Sequence, residues 1–452
     1  MLTWLRQRFA EAQNRTALIW RDESVTYGWL LKEMDRAAAD ICAAGIGPGA
    51  VVSLESDYSP QACAYLLALV EARTIVVPMT SAAESNRDYF LEVAEVEYRL
   101  VLGDQLEPRF VRTKSEACHS LFRVLRERNH PGLVLFSTGS TGMPKAALHD
   151  FVGLLRKFEV LRKSLRAIAF LLLDHIGGLN TLLYVLSNCG TLVTLESRDP
   201  EVVCQTIERH LVELLPTSPT FLNLLLLSEA HLRYDLTSLK LITYGTEPMP
   251  ESTLKRIHDA LPHARLQQTY GLSELGILRS KSQADDSLWV KVGGEGFETE
   301  VRDGILWIRA ESAMLGYLNA PSPFDEHGWF NTQDEVLVDG DYMQILGRRS
   351  EVINVGGLKV YPAEVESVLL ELDGVLDASV RGESNLLTGQ AVVATLTLAA
   401  PEDAKELRRR VRAHCADRLE RFKIPVRVEQ AGDFQHSARF KKDRRFHGGQ
   451  AV

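Results

Sequence analysis

Between Phe136 and Ala147 the chain reads FSTGSTGMPKAA, a stretch dense in groups that can hold an anion. Four hydroxyls, Ser137, Thr138, Ser140 and Thr141, alternate with Gly139 and Gly142, and Lys145 follows Pro144. Glycine lets backbone N–H groups turn toward an anion with no Cβ in the way. Hydroxyls and one ammonium add donors that a polyphosphate can accept from. The apolar run LVLF just before puts the loop at the end of a buried strand. The G-x-x-x-x-G-K-[ST] spacing of a Walker A loop is absent, so this phosphate cradle is of another kind. Taken alone, a flexible Ser/Thr/Gly surface loop explains the composition equally well.

A second stretch, QQTYGLSELG, begins at Gln267. Tyr270 offers a flat ring to a purine, Ser273 a hydroxyl to a phosphate, and Glu274 carboxylate oxygen to Mg2+, a hard cation. Other segments follow the same order along the chain. His175 ends the apolar run AIAFLLL-D, and the turn Gly245-Thr246-Glu247-Pro248 follows LITY. Asp334 sits in NTQDE, GRRSEVINVGGLKVYPAEVE occupies 347–366, and FQHSARFKKDRR occupies 434–445. Each has a plain reading: a capping histidine, a tight turn, a structural aspartate, a solvated basic tail.

Together and in this order, these segments resemble those of the adenylate-forming superfamily: acyl-CoA synthetases, aryl-CoA ligases, luciferases and peptide-synthetase adenylation domains. The resemblance covers nearly the whole chain. It implies that Ser137–Lys145 hold the departing pyrophosphate. It places Gly245, Thr246, Glu247 and Pro248 beside adenine, with Thr269, Tyr270, Gly271 and Ser273 on the adenine and α-phosphate. Glu274 and Thr138 become the candidate Mg2+ ligands. Asp334 would accept both ribose hydroxyls, as a carboxylate suits a vicinal diol. Arg348 would meet ribose or phosphate, and His175 would line or gate the acid pocket. Lys441 would neutralise charge between the acyl carboxylate and the α-phosphate.

The sequence also departs from the family pattern. Gln333 stands where the family has the glycine of Thr-Gly-Asp, Gln435 where proline is common, Phe440 where glycine precedes the catalytic lysine, and Ser273 where threonine is more usual. Lys442 beside Lys441 offers a second register, and the hinge pivot is either Ser350 or Glu351. Ile176 occupies the place where amino-acid-activating relatives keep an aspartate, which argues against an amino-acid substrate. The pocket expected from 174–180, 216–224 and 243–249 is mostly apolar, which suits a small or medium apolar or aromatic acid.

The implied reaction is ATP-dependent activation of a carboxylic acid to an acyl-adenylate, with transfer to a thiol. CoA is the leading acceptor and carrier-protein phosphopantetheine the alternative. A nucleotide-binding protein without turnover is a third reading, raised by Gln333, Gln435 and Phe440.

The elements that must position these residues follow from the pattern. Helical stripes alternating with short apolar runs before residue 270 imply α/β subdomains with parallel-type sheets. Short strands with a turn at Asp303-Gly304 imply a small barrel-like part. After about residue 350 comes an α+β unit of roughly 100 residues. The expected organisation is a large N-terminal domain over 1–347, a hinge at 348–351, and a small mobile C-terminal domain over 352–452. A net charge of −9 argues against a general nucleic-acid binder. Six scattered cysteines without a C-x-x-C pair suit a reducing, cytoplasmic setting. No apolar run approaches the roughly 20 residues of a membrane span. The protein is expected to be a monomer or homodimer.

Overall fold

The computed structural model describes residues 1–103, 106–138, 143–432 and Lys442. Two seven-stranded sheets and a six-stranded antiparallel sheet build the N-terminal part. In the first sheet, Gly132–Thr138, Ile75–Met79, Val51–Glu55 and Tyr98–Leu102 are parallel neighbours. Antiparallel strands close both of its edges, Pro108–Arg112 on one side and Pro144–Asp150 then Gly316–Tyr317 on the other. The inner strands are buried along their full length, as strands covered on both faces must be.

The second sheet sets Arg265–Gln268, Leu241–Tyr244, Leu214–Thr217, Arg166–Ile168, Thr191–Val193 and Thr16–Trp20 in parallel. The covering helices start where the sequence supplies caps. Thr26, Ser59, Asp199 and Ser218 each accept a backbone N–H of the helix that follows. In the antiparallel sheet, Phe297–Arg302 and Ile305–Ala310 form a hairpin whose turn, Asp303-Gly304, has positive φ at both residues.

Three elements differ from what the local sequence pattern implies, namely a helix over 151–164, a strand over AIAFLLL and a helix cap at Ser252. Residues 151–164 form a helix only over Phe151–Leu155, followed by a 3-10 turn at Arg156–Phe158. The run AIAFLLL is strand only at its start, within Arg166–Ile168, beside the equally short Thr191–Val193. Ser252, read as a helix cap, lies inside the helix Glu251–Ala260.

The C-terminal part has its own apolar core, built from Ile353 through Val428. A five-stranded sheet carries the helices Pro362–Leu369 and Ala404–Ala416. It meets the large part through polar contacts. Ser252 N–H donates to Ser367 Oγ at 3.0 Å, and the Ser252 hydroxyl donates to the Ser367 carbonyl at 2.9 Å. Asn223 donates to the Leu376 carbonyl at 3.0 Å. Glu335, 4% exposed, accepts from Lys359 at 2.7 Å and from the Tyr361 hydroxyl at 2.6 Å.

Candidate active site

In open parallel sheets, ligands bind beyond the carboxyl ends of the strands. That edge of the second sheet gathers four of the segments singled out by sequence. His175 follows Arg166–Ile168, Gly245–Pro248 follow Leu241–Tyr244, and Thr269 and Tyr270 follow Arg265–Gln268. Thr217 ends the strand between them, and Ser218 caps the helix that follows.

The Gly245 turn is tightly determined. A Cβ on Gly245 would lie 2.6 Å from Thr269 Oγ1, so only glycine lets the two loops approach. Thr246 is exposed and adopts φ +75°, a left-handed conformation unfavourable for a β-branched residue. A plain turn does not need that strain, which is of order 1–3 kcal/mol and tends to be kept at ligand sites. Glu247 accepts from the Thr220 N–H at 2.9 Å and from its hydroxyl, tying the turn to the helix Pro219–Leu227. Its other oxygen accepts from the Lys442 N–H at 2.7 Å. Thr269 donates its hydroxyl to the Tyr244 carbonyl at 3.0 Å.

Tyr270, Asp334 and Arg348 form a second group. The buried Tyr270 hydroxyl donates to Asp334 Oδ2. Arg348 is the direct cross-strand partner of Asp334, and its Nε lies 3.6 Å from Oδ1. Burial pushes the Asp334 carboxyl above its ordinary range, while Arg348 and the Tyr270 hydroxyl oppose that rise. Burial, reinforced by Asp334, drives the Tyr270 phenol well up, so it stays protonated and donating. Gln333 takes φ +62°, the conformation a glycine would hold. Its N–H donates to Asn331 Oδ1 at 2.9 Å. The next N–H, of Asp334, donates to Thr332 Oγ1 at 3.0 Å. The substitution therefore keeps the left-handed backbone and supports it with side-chain acceptors.

The third group joins the two sheets' loops. Ser137 pairs with Lys145, and Thr138 with Pro144, at the mouth of an antiparallel hairpin. Gly139, Ser140, Thr141 and Gly142 lie outside the described residues, as does Lys441. Tyr317 donates its hydroxyl to Glu274 Oε1 at 2.5 Å, and Lys145 Nζ lies 5.2 Å from the centre of its ring. Burial and the Glu274 charge hold the Tyr317 phenol far above its usual value. Fully buried His149, on the same strand as Lys145, donates from Nε2 to the Ser273 carbonyl at 2.6 Å. Burial lowers the imidazole's pKa, so it is neutral at pH 7. Gly271 and Ser273 flank this contact in the loop that carries Glu274.

Glu274 offers one carboxylate, and among the described residues no three His, Cys, Asp or Glu side chains cluster to hold a metal. That donor set fits Mg2+ arriving with a polyphosphate, since Mg2+ takes one or two carboxylates and completes its shell with phosphate oxygen and water.

His175 caps the helix Ile176–Ser187, its Nδ1 accepting from the Gly177 N–H at 3.1 Å. The neighbouring Asp174 is buried and accepts from the Thr80 hydroxyl at 3.0 Å. Lys442, 9% exposed at its side chain, lies 3.1 Å from Asp377 Oδ1 and donates to the Ala378 carbonyl at 2.6 Å. Tyr317 and His149 escaped the sequence reading. Neither belongs to a spaced motif, and each becomes visible only when distant strands pair.

Comparison with known proteins bears on the family. Residues 5–318 match the family model described as AMP-binding enzyme, and residues 364–441 that of the AMP-binding enzyme C-terminal domain. The chain is 26% identical over 431 residues to acyl-CoA synthetase 7 of Caenorhabditis elegans, covering 87% of this chain and 78% of that protein. It is 26% identical to 2-succinylbenzoate–CoA ligase of Bacillus licheniformis, covering 93% of this chain and 94% of that one. The crystal structure of the anthranilate CoA ligase AuaEII in complex with anthranoyl-AMP shares the fold, with a TM-score of 0.81 at 21% identity, covering 98% and 95% of the two chains.

Proposed function

We propose, since this chain belongs to the AMP-binding enzyme family, that it joins a carboxylic acid to CoA with cleavage of ATP to AMP and pyrophosphate. An acid oxygen attacks the α-phosphorus and pyrophosphate leaves; the CoA sulfur then attacks the acyl carbon and AMP leaves. Such chemistry needs positioning and charge neutralisation more than a protein nucleophile. The observation that carries this reading is the convergence of Lys145 and Glu274 on Tyr317, which brings the strand Pro144–Asp150 against the GLSEL loop.

In this reading Lys145 and the Ser137–Gly142 backbone hold the leaving pyrophosphate. Tyr270 and the Gly245–Pro248 turn flank adenine, Asp334 and Arg348 hold the ribose, and Ser273 and Thr269 face the α-phosphate. Glu274, with Thr138, would hold Mg2+, which when bound neutralises charge on the phosphates. Tyr317 keeps Glu274 aimed by its donated proton. His175 would border the acid and Lys441 would bridge the acid carboxylate and α-phosphate. The small C-terminal domain, 352–452, would turn about Ser350 or Glu351 between the half-reactions. The relatives named as CoA ligases favour CoA over a carrier protein. A cytoplasmic site of action is supported by six free thiols, and among the described residues no helix is long and apolar enough to cross a membrane.

Acid-dependent exchange of radiolabelled pyrophosphate into ATP, followed by addition of CoA or a holo-carrier protein, tests both steps. Absence of exchange with every acid would refute the ligase reading; acyl transfer to the carrier alone would reassign the acceptor.

A further inference from the structure

We infer that Lys157 reads a second carboxylate on the acid substrate, remote from the carboxyl that is activated; this rests on the ligase reading above. Lys157 lies on the 3-10 turn Arg156–Phe158, and its partly buried side chain carries the amine to two segments remote in the chain. Its Nζ donates to Asn180 Oδ1 at 2.6 Å and to the Ile277 carbonyl at 2.9 Å. Both anchors belong to segments that frame the site. Asn180 lies on the helix capped by His175, five residues or about 7.5 Å along it. Ile277 follows Glu274 by three residues.

The charge around this amine is unusual. Buried charges are normally paired with an opposite charge. Among the described residues the charges that act on Lys157 come from Arg162 and Arg279, both cations, and its amine contacts the Phe158 ring, Asn180 and the Ile277 carbonyl. An ammonium has three donors, and two are used among the described residues. With burial and two like charges, the amine's pKa falls to about 7. A methionine or leucine would fill the same apolar surroundings without that penalty. A carboxylate carried in by the substrate would meet the third donor, supply the missing negative charge and pull the amine back to its protonated form. The family of acids selected is therefore one with two carboxyl groups separated by an apolar or aromatic spacer.

The test compares a diacid with an aromatic spacer and the matching monoacid, in pyrophosphate release with saturating MgATP and CoA. The proteins are wild type, Lys157→Met, Lys157→Arg and Asn180→Asp, each checked for MgATP binding. The wild type should prefer the diacid in kcat/KM by about 30-fold, the scale of one hydrogen bond between charged groups. Lys157→Met should bring that ratio close to one, and Lys157→Arg should keep most of it. Asn180→Asp gives the amine an internal carboxylate and should also erase the preference; it carries the test if the methionine variant fails to bind MgATP. The wild-type ratio should fall between pH 6 and pH 8.5 as the amine loses its proton. Arg162 and Arg279 keep their charge across that range. A wild type that turns over monoacids as well as diacids, or a ratio untouched by Lys157→Met, would overturn the inference and leave the ligase reading standing. Failure of every acid to release pyrophosphate would instead remove the ligase reading.

Discussion

Replacing His149 by phenylalanine removes one donor from beneath the GLSEL loop while keeping a flat ring. The imidazole is fully buried and its Nε2 sits 2.6 Å from the Ser273 carbonyl. Leaving that carbonyl without its partner costs about 1–3 kcal/mol. At about 2–4 °C per kcal/mol for a large domain, the midpoint should drop by roughly 2–12 °C. The functional effect should be larger than the stability effect. Ser273 precedes Glu274, and a shift of about 1 Å in a positioning group can cost about 100-fold. In pyrophosphate–ATP exchange, kcat/KM for MgATP should fall toward that figure at a temperature where the variant is folded. The pH dependence has a defined sign. Burial lowers the folded-state pKa, so below pH 6.5 the unfolded chain binds a proton that the native chain refuses. Stability associated with His149 is complete above pH 6.5 and is lost as pH falls toward the folded value, so wild type and variant should converge in acid. A folded variant with wild-type exchange and an unchanged KM for MgATP would refute the positioning role.

The other predictions concern the tail and the two left-handed residues. Lys441→Ala should abolish exchange while MgATP still binds, whereas Lys442→Ala, which loses its contact with Asp377, should retain exchange; the opposite result would move the catalytic role to Lys442. Thr246→Gly should raise stability by about 1 kcal/mol, strain relief minus the added entropy of an unfolded glycine, while weakening MgATP binding. A destabilised Thr246→Gly protein would show that the turn is unstrained. Gln333→Gly should stabilise by a few tenths to about 1 kcal/mol with exchange preserved, because the left-handed backbone is already in place. Thermal unfolding and exchange rates report both.

What could be read before folding was whatever repeats locally. Alternating helix and apolar run gave the parallel sheets, Asp303-Gly304 gave the hairpin, and the hydroxyl-rich loop gave the mouth where Ser137 faces Lys145. What could not be read depends on partners remote in the chain. Tyr317 reaches Glu274 because a two-residue strand, Gly316–Tyr317, pairs with Pro144–Asp150. The cap signal at Ser252 misled because its hydroxyl bonds to Ser367, 115 residues away. Gln333 looked like a break in the pattern, yet Asn331 and Thr332 supply the acceptors that let it stand where glycine would. The Lys157 amine gave no signal at all, since a lysine near a helix end ordinarily points to water.

The seat of the smaller lobe on the larger one is hydrophilic: serine against serine, asparagine against a carbonyl, lysine and tyrosine against one carboxylate. In the proposed turn of the small domain each of those bonds would be handed over to water, and the oily interior of the smaller lobe would stay sealed because it is made of its own residues. At about 1 kcal/mol net per bond, undocking lies within reach of what exchanging one bound nucleotide or thiol for another can supply.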